Sequence, residues 1–397
     1  MSTHVLIVVQ NLPLPGDRRV WLECQALRAA GFEVSAITPA GPGDPAYALL
    51  DGVHLYKYPP PSESQGAVSF AREFAYCWAL TARLSRRVWK RRPFDVMQAC
   101  NPPDTFWALA LLYRPRGVKF VFDQHDLSPE VYLSRFSEPN PILLRMLYAL
   151  ERMTYRTASR VIATNESYAH VARSRGRVDA SAVAVVRTGP DSRRMRRGTA
   201  VDELRRGKRH LACYLGVMNP QDGVDVLLAA IRHIVHDHHR HDTHFALLGG
   251  GDAWNELRRQ VTDFDLDGHV DMPGRVSDET LFDYLSTADV GLSPDPPSAL
   301  NDVSTMNKTM EYMAFGMPVV AFDLKETRVS AQEAAAYAAE PTSESYAHTV
   351  MTLLDDEDRR RDMGAFARAR VESHLDWSHQ KPVYVRTIGE AASVPAP

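Results

Sequence analysis

Hydrophobic positions along this chain follow a repeating rhythm. Short runs of consecutive apolar residues, such as VLIVV from Val5 and VVAF from Val319, each lie beside a polar loop and a stretch with apolar residues at helical spacing. A run that is apolar at every position has no solvent side and reads as a strand buried on both faces, whereas three- and four-residue spacing reads as an amphipathic helix. Strands are predicted on this basis at 5–9, 33–38, 53–58, 95–99, 119–122 and 160–163, with helices at 20–30 and 67–90. The stretch 188–209, TGPDSRRMRRGTAVDELRRGKR, is rich in arginine and poor in apolar residues, and reads as a linker. Beyond it the rhythm restarts, with strands at 210–215, 244–248, 270–272, 290–292 and 318–321, and helices at 224–236, 253–263, 278–287 and 307–315. Strand, loop and helix repeated in this order build a parallel sheet covered on both faces, here twice over. Tandem sheets of this kind are expected to leave a cleft at the carboxyl ends of their strands, where their ligands bind.

Composition narrows the function classes. The chain has 397 residues, 45% of them hydrophobic and 24% charged, which suits a soluble protein of two domains. A formal net charge of -3 lacks the basic footprint of a nucleic-acid binder. No apolar run is long enough to span a bilayer, and the first one is too short for a signal peptide. Cys24, Cys77, Cys100 and Cys213 are scattered without metal-ligand spacing, which implies neither disulfides nor zinc and fits a reducing cytoplasm.

The segment KTMEYMAFGMPVVAFD, from Lys308, carries the most chemistry. Lys308 and Glu311 are neighbours on one face of a helix that leads into a buried strand. A lysine at such a helix N-terminus suits a phosphate-bearing ligand. Gly216 and the run Gly249, Gly250, Gly251 end strands and open loops, where bare backbone lets a diphosphate or base approach. VFDQHDLSPEVY sets His125 and Asp126 directly after a strand, with Glu130 as a second-layer carboxylate or a helix cap. Gly16, Arg18 and Arg19 occupy the first loop, from which an arginine could reach phosphate. Asn101 ends another strand and is expected to face an acceptor. Two patterns look like metal sites without being placed as one: the histidine-rich HIVHDHHRH from His233, and Asp263, Asp265 and Asp267 in a loop away from the carboxyl ends. The helix carrying Phe70, Phe74, Trp78, Leu84 and Trp89 ends in clustered arginine. It reads either as an interfacial helix or as a core helix with a solvated basic end.

Four segments, LGVMNPQDGVDVLLAAI, LLGGGDAWNELRRQV, GRVSDETLFDYLSTADVGLSP and KTMEYMAFGMPVVAFD, resemble in order and spacing the donor-binding half of the family 4 retaining glycosyltransferases. The resemblance extends over nearly the whole chain. It implies the GT-B fold: two Rossmann-like doubly wound parallel-sheet domains facing a deep cleft. The expected division is an acceptor-side domain at 1–190, a linker at 191–209, a donor-binding domain at 210–375, and a segment at 376–397 crossing back to the first domain. It implies transfer, with retention, of a hexose or N-acetylhexosamine from a nucleotide-diphosphate sugar, with UDP the expected nucleotide, to a hydroxyl acceptor. By the same resemblance Arg275 and Val276 hold the nucleobase, Glu311 the ribose and His125 the donor sugar; Lys308, with Asn307 beside it, is the available substitute for the family's diphosphate clamp, and Asn101, Asp126 and Glu130 are expected on the acceptor side. No cofactor or metal is expected. The first glutamate of the family's E-x7-E motif falls at Val303, and the usual phosphate-clamping arginine and lysine fall near Val217 or Met218 and at Asp222. Readings on the same fold are a nucleotide-sugar epimerase, a pseudo-glycosyltransferase or an inactive sugar-nucleotide-binding subunit. A cytoplasmic place follows, with peripheral contact to the inner face of the membrane through 67–92, a lipid-linked or small-molecule acceptor, and no nucleic acid.

Overall fold

The computed structural model of the chain describes residues 2–61, 67–136 and 138–393, without the side chains of 67–71. Two compact units emerge, one of residues 1–188 with 380–397, the other of residues 189–379.

In chain order the first unit begins β1 (His4–Val8), α1 (Arg18–Ala29), β2 (Glu33–Pro39), β3 (Tyr47–Leu50) and β4 (Val53–Tyr58). It continues α2 (Ala67–Arg91), β5 (Val96–Cys100), α3 (Trp107–Tyr113), β6 (Lys119–Gln124) and α4 (Ser128–Arg135). Its last elements before the second unit are α5 (Pro141–Thr157), β7 (Arg160–Ala163), α6 (Glu166–Ser174) and β8 (Val183–Val185). Among the described residues the sheet has the order β3-β4-β2-β1-β5-β6-β7-β8. Every pairing is parallel except the edge hairpin β3–β4. The central strands β1, β5 and β6 are buried along their length, as runs without a polar face require. Asp17 caps α1 by accepting from the Val20 N–H at 3.1 Å, and Gly31, in the left-handed region, follows its end.

The second unit runs β9 (His210–Val217), α7 (Val224–Arg232), β10 (Thr243–Gly250), α8 (Trp254–Asp263) and β11 (Val270–Gly274). Then come α9 (Asp278–Thr287), β12 (Val290–Ser293), α10 (Asn307–Ala314) and β13 (Val319–Phe322). It closes with α11 (Lys325–Ala331), β14 (Ala335–Ala338), α12 (Ser343–Asp355), α13 (Glu357–Arg370) and the start of α14 (Trp377–Ser393). Its sheet is parallel throughout, in the order β11-β10-β9-β12-β13-β14. From Gln380 onward α14 belongs to the first unit.

Three expectations change. Residues 191–209, read as a linker, are built into the second unit. Arg197 donates to the carbonyls of Ser286 and Ala288, and Arg205 to the carbonyl of Thr287 and the carboxylate of Asp289. The arginines fasten the stretch to the end of α9 instead of solvating it. The helix expected to reach His236 ends as an α-helix at Arg232 and continues as one wider turn. The apolar stripe of α2 faces the core: Cys77, Ala82 and Val88 are buried, and Trp78, Leu84 and Trp89 pack against the same cluster. Arg83, Arg86, Arg87 and Lys90 point outward. This is the core-helix alternative from Cys77 onward; Phe74 and Tyr76, at the start of the helix, remain 38% and 40% exposed, and the Phe70 side chain lies outside the described residues.

Candidate functional site

The second unit gathers most donor-side candidates along the carboxyl edge of one sheet. Gly216 is the next-to-last residue of β9, at φ +156, and Gly249 the next-to-last of β10, at φ +137. A Cβ on Gly249 would lie 1.8 Å from the Gly216 carbonyl oxygen, and one on Gly251 would lie 2.6 Å from that of Met218, so both turns need glycine. A Cβ on Gly250 would meet open space. Arg275 is exposed beyond β11, while Val276 packs on the core beneath it and Ser277 caps α9. Exposed Asn307 begins α10, whose first turn has no side-chain cap. Half-buried Glu311 lies one turn further along that helix.

Lys308 has a partner that the sequence reading did not anticipate. Its Nζ donates to Asp295 Oδ1 at 2.5 Å and sits 5.3 Å from the centre of the Tyr214 ring. Asp295 is 1% exposed and also accepts from Ser293 Oγ at 2.7 Å. A Cβ on Gly216 would come within 3.3 Å of Lys308 Cε, so the glycine turn and the lysine face each other directly. The signal was present in SPDPP, directly after a buried strand. Asp222, at the place of a family lysine, accepts from the Asn219 N–H at 2.8 Å and closes a capping box.

In the first unit Arg19 is not a surface arginine reaching for phosphate. It is 7% exposed, and every arm of its guanidinium is engaged. Nη1 donates to Val186 O at 2.9 Å and Thr188 Oγ1 at 3.0 Å, Nη2 to Asp123 Oδ1 at 3.1 Å, and Nε lies 3.1 Å from Glu23 Oε1 and 3.2 Å from His125 Nε2. Burial and the carboxylates of Asp123 and Glu23 dominate its environment, and its pKa is raised. Burial pushes the Asp123 carboxyl up, but His125 and Arg19 beside it outweigh that and hold it below the usual range. Glu23 is raised well above its ordinary value, first by burial and then by the negative charge of Asp123. Neighbouring Arg18 is exposed, and Gly16 packs against the Pro13 carbonyl.

Asn101 does not face an acceptor. It is 3% exposed, and its amide oxygen accepts from the His125 N–H at 2.7 Å and the Asp126 N–H at 3.2 Å. Its amino group donates to Asp126 O at 2.8 Å and Asp104 Oδ1 at 3.2 Å. Asn101 therefore clamps the loop that carries His125. Asp104, which also accepts from Ser128 Oγ, is pushed up to about 7, chiefly by burial. Asp126 is raised by desolvation. Glu130 neither caps α4 nor stands free: Arg175 donates to it at 2.5 and 3.1 Å and reaches Glu151 at 2.6 Å.

Among the described residues Cys100, Asp123 and His125 offer ligand atoms within 4.8 Å of one another. Arg19 already brings a guanidinium to Asp123 and His125 there, so a divalent ion would have to displace a buried cation. The histidines from His233 onward have separate partners: His233 pairs with Asp237 and Glu344, His236 meets the Phe264 carbonyl, and His244 pairs with Asp271.

Comparison with known proteins matches both halves. Residues 16–189 match the family described as glycosyl transferase 4-like domain, and residues 209–356 the glycosyl transferases group 1. The chain belongs to the group 1 glycosyltransferases. A phosphatidyl-myo-inositol mannosyltransferase of Mycolicibacterium smegmatis is 33% identical over 161 residues, 40% of this chain and 39% of that protein. A GDP-mannose-dependent monoacylated alpha-(1-6)-phosphatidylinositol monomannoside mannosyltransferase of Corynebacterium glutamicum is 28% identical over 161 residues, 40% of this chain and 41% of that protein. The chain thus matches about two-fifths of the length of these relatives. In fold it is similar to a sucrose-phosphate synthase from Thermosynechococcus elongatus, with TM-score 0.77 at 16% identity over 98% of both chains. It is also similar to WaaG, a glycosyltransferase involved in lipopolysaccharide biosynthesis, with TM-score 0.72 at 16% identity over 97% of this chain and 100% of that one. The expected GT-B architecture is therefore present.

Proposed function

We propose that the protein is a retaining, metal-independent glycosyltransferase that moves a hexose or N-acetylhexosamine from a nucleotide-diphosphate sugar to a hydroxyl on a lipid-linked or small-molecule acceptor. The observation that carries this reading is Lys308, held by buried Asp295 at the start of α10 and facing the Gly216 turn. A diphosphate there would meet an ammonium, the free N–H groups of the helix start and a turn without side chains. The second unit would hold the nucleotide, with Arg275 and Val276 at the base and Glu311 accepting from the ribose hydroxyls. Cleavage of the sugar–phosphate bond builds positive charge on the sugar and negative charge on the departing diphosphate. Lys308 and the helix dipole oppose the latter without a metal. The departing phosphate takes the proton of the attacking hydroxyl on the same sugar face, and His125 hydrogen-bonds the sugar.

The names of both relatives support a mannosyl donor, one of them GDP-mannose, and a solved neighbour of the same fold was captured with UDP and glucose, so both nucleotides belong in the test. Those relatives act on phosphatidylinositol-type acceptors, which favours a lipid-linked one here. Among the described residues no helix is long and apolar enough to cross a membrane. Peripheral contact is proposed instead, through the outward basic face of α2 and exposed Ile142 and Met146 on α5.

Lys308→Ala should weaken nucleoside-diphosphate binding by about 2 kcal/mol, the scale of a lost charged hydrogen bond, and abolish transfer. Removing the lysine also strands a buried carboxylate, so Lys308→Ala with Asp295→Asn is the control for folding. Donor affinity unchanged in a folded variant would show that another group holds the phosphates. Transfer should also persist in excess EDTA; loss restored by manganese or magnesium would refute the metal-free scheme.

A further inference from the structure

The groups beneath His125 form a chain of hydrogen bonds that begins in the last helix. Tyr384, fully buried on α14, donates to Gln98 Oε1 at 2.6 Å. Gln98 Nε2 donates to Asp123 Oδ2 at 3.0 Å and to Glu23 Oε2 at 2.8 Å. Two carboxyl groups on one side leave the amide a single useful orientation, with its NH2 toward them and its oxygen toward the phenol. Asp123 Oδ2 also lies 2.9 Å from His125 Nε2, and its other oxygen is held by Arg19 Nη2 at 3.1 Å, so the carboxylate cannot swing away. All these residues belong to the first unit.

A ring nitrogen at this distance from a carboxylate carries the proton, because the carboxylate can only accept. The Arg19 Nε–H is also directed at this nitrogen, at 3.2 Å, but the charged carboxylate at 2.9 Å is the stronger partner for the ring proton. Nε2 is thereby fixed inward. Among the described residues Nδ1 has no hydrogen-bond partner, and the His125 side chain is 17% exposed.

We propose that Asp123, Gln98 and Tyr384 are positioning residues of the transfer reaction, fixing His125 with its Nε2–H inward and presenting Nδ1 to a hydroxyl of the donor sugar. The sugar contact rests on the function proposed above; the ring orientation does not. The C-terminal helix, through Tyr384, then acts on a residue far away in sequence without touching substrate itself. A purely structural network would instead hold β5, β6 and α14 together and leave the histidine tautomer free.

Histidine side-chain 15N spectra of the full-length protein separate the two, with His125→Gln used for assignment. The wild type should show neutral His125 as the Nε2–H tautomer, and its Nδ1 resonance should move when UDP-glucose or GDP-mannose, whichever raises the melting temperature, is added. Tyr384→Phe keeps the ring packing but removes the donor to Gln98. It should admit the Nδ1–H tautomer and lower kcat about tenfold, the effect of roughly one hydrogen bond, at unchanged donor KM. Asp123→Asn should do the same more strongly, and Tyr384→Phe keeps the test informative if that variant fails to fold. An Nδ1–H tautomer in the wild type, an Nδ1 resonance indifferent to a donor that binds, or a Tyr384→Phe enzyme with wild-type tautomer and kcat would each overturn the inference. Failure to bind or turn over any donor defeats the transfer reading, while the tautomer and its dependence on Tyr384 are read without a donor.

Discussion

At the scale of single residues, the site depends on polar groups that are buried and fully engaged. Asn101 shows why residue type at a strand end is a weak guide to role: its amide is saturated by the His125–Asp126 backbone and Asp104, and has no hydrogen bond left for a substrate. Asp104 leads to a pH prediction. Its carboxyl, ordinarily near 3.8, is pushed up to about 7 in the folded protein, so over that interval the native state binds more protons than the unfolded state. Stability should therefore be greatest below the ordinary value, fall as pH rises toward 7, and flatten above it. Asp104→Asn removes the titrating group while keeping an acceptor for Asn101. It should melt higher than the wild type at pH 8 and lose part of the slope, which thermal melts across that range would check. Gly249 gives a sharper case. A side chain there meets the Gly216 carbonyl oxygen at 1.8 Å at a φ of +137, so Gly249→Ala should cost on the order of 3 kcal/mol and disrupt the turn beside Lys308. A variant with wild-type melting temperature would show that β9 and β10 can separate there at no cost.

Secondary elements were legible where their physics is local. Runs such as VLIVV and VVAF can only be buried strands, and the strand and helix order of both units follows from them. The hairpin β3–β4 was missed although it carries a local signal, Asp51–Gly52, both residues at positive φ as a tight hairpin turn requires. Tyr47–Leu50 is a short apolar run, but it is half-exposed at the sheet edge, with Leu49 and Leu50 turned to solvent instead of buried on both faces. The arginine-rich 191–209 and the buried Arg19–Asp123 pair were not legible, for a different reason. Their partners lie 84 to 104 residues away, and composition cannot tell a solvated arginine from one that closes a distant helix end or neutralises a buried carboxylate. Glu311, Lys308 and His125 could be picked out because each stands in a short motif, and Asp295 stands in SPDPP after a buried strand, whereas Tyr384 acquires a role only from what the fold puts beside it. For α2 the packing gives a direct contrast. Trp89 lies edge-on to Phe94 at 5.1 Å within the core, so Trp89→Ala should destabilise by about 3–5 kcal/mol, while outward Arg86→Ala should change stability by less than about 0.5 kcal/mol. Equal urea midpoints for the two variants would contradict this assignment of faces.

At the scale of the molecule, a chain of net charge -3 places its cations unevenly. Both α2 and α5 contribute to the core cluster on one side of the first sheet, so their outward faces look the same way. On α2 that face carries Arg83, Arg86, Arg87 and Lys90; on α5 it carries Arg145 and Arg152 beside Ile142, 76% exposed, and Met146, 50% exposed. The acid of α5, Glu151, is turned inward against Arg175 and does not offset them. Cationic side chains around exposed apolar ones suit the headgroup region of an anionic bilayer, where each basic residue near the surface contributes about 1 kcal/mol and apolar tips add burial. An acceptor anchored in such a bilayer would then be met by a protein already held at its surface. Vesicles containing phosphatidylglycerol should sediment the protein at low salt and release much of it as salt rises, because screening weakens attachment through exposed charges. Replacing Arg86 and Arg87 by Glu should weaken binding at low salt, and Ile142→Asp with Met146→Asp should weaken the part that survives high salt. Both variants should keep the wild-type melting temperature, since none of the four side chains is in the core. If the wild type ignores anionic vesicles at low salt, the acceptor must come to the enzyme in solution, and the basic face of the first unit serves something other than a membrane.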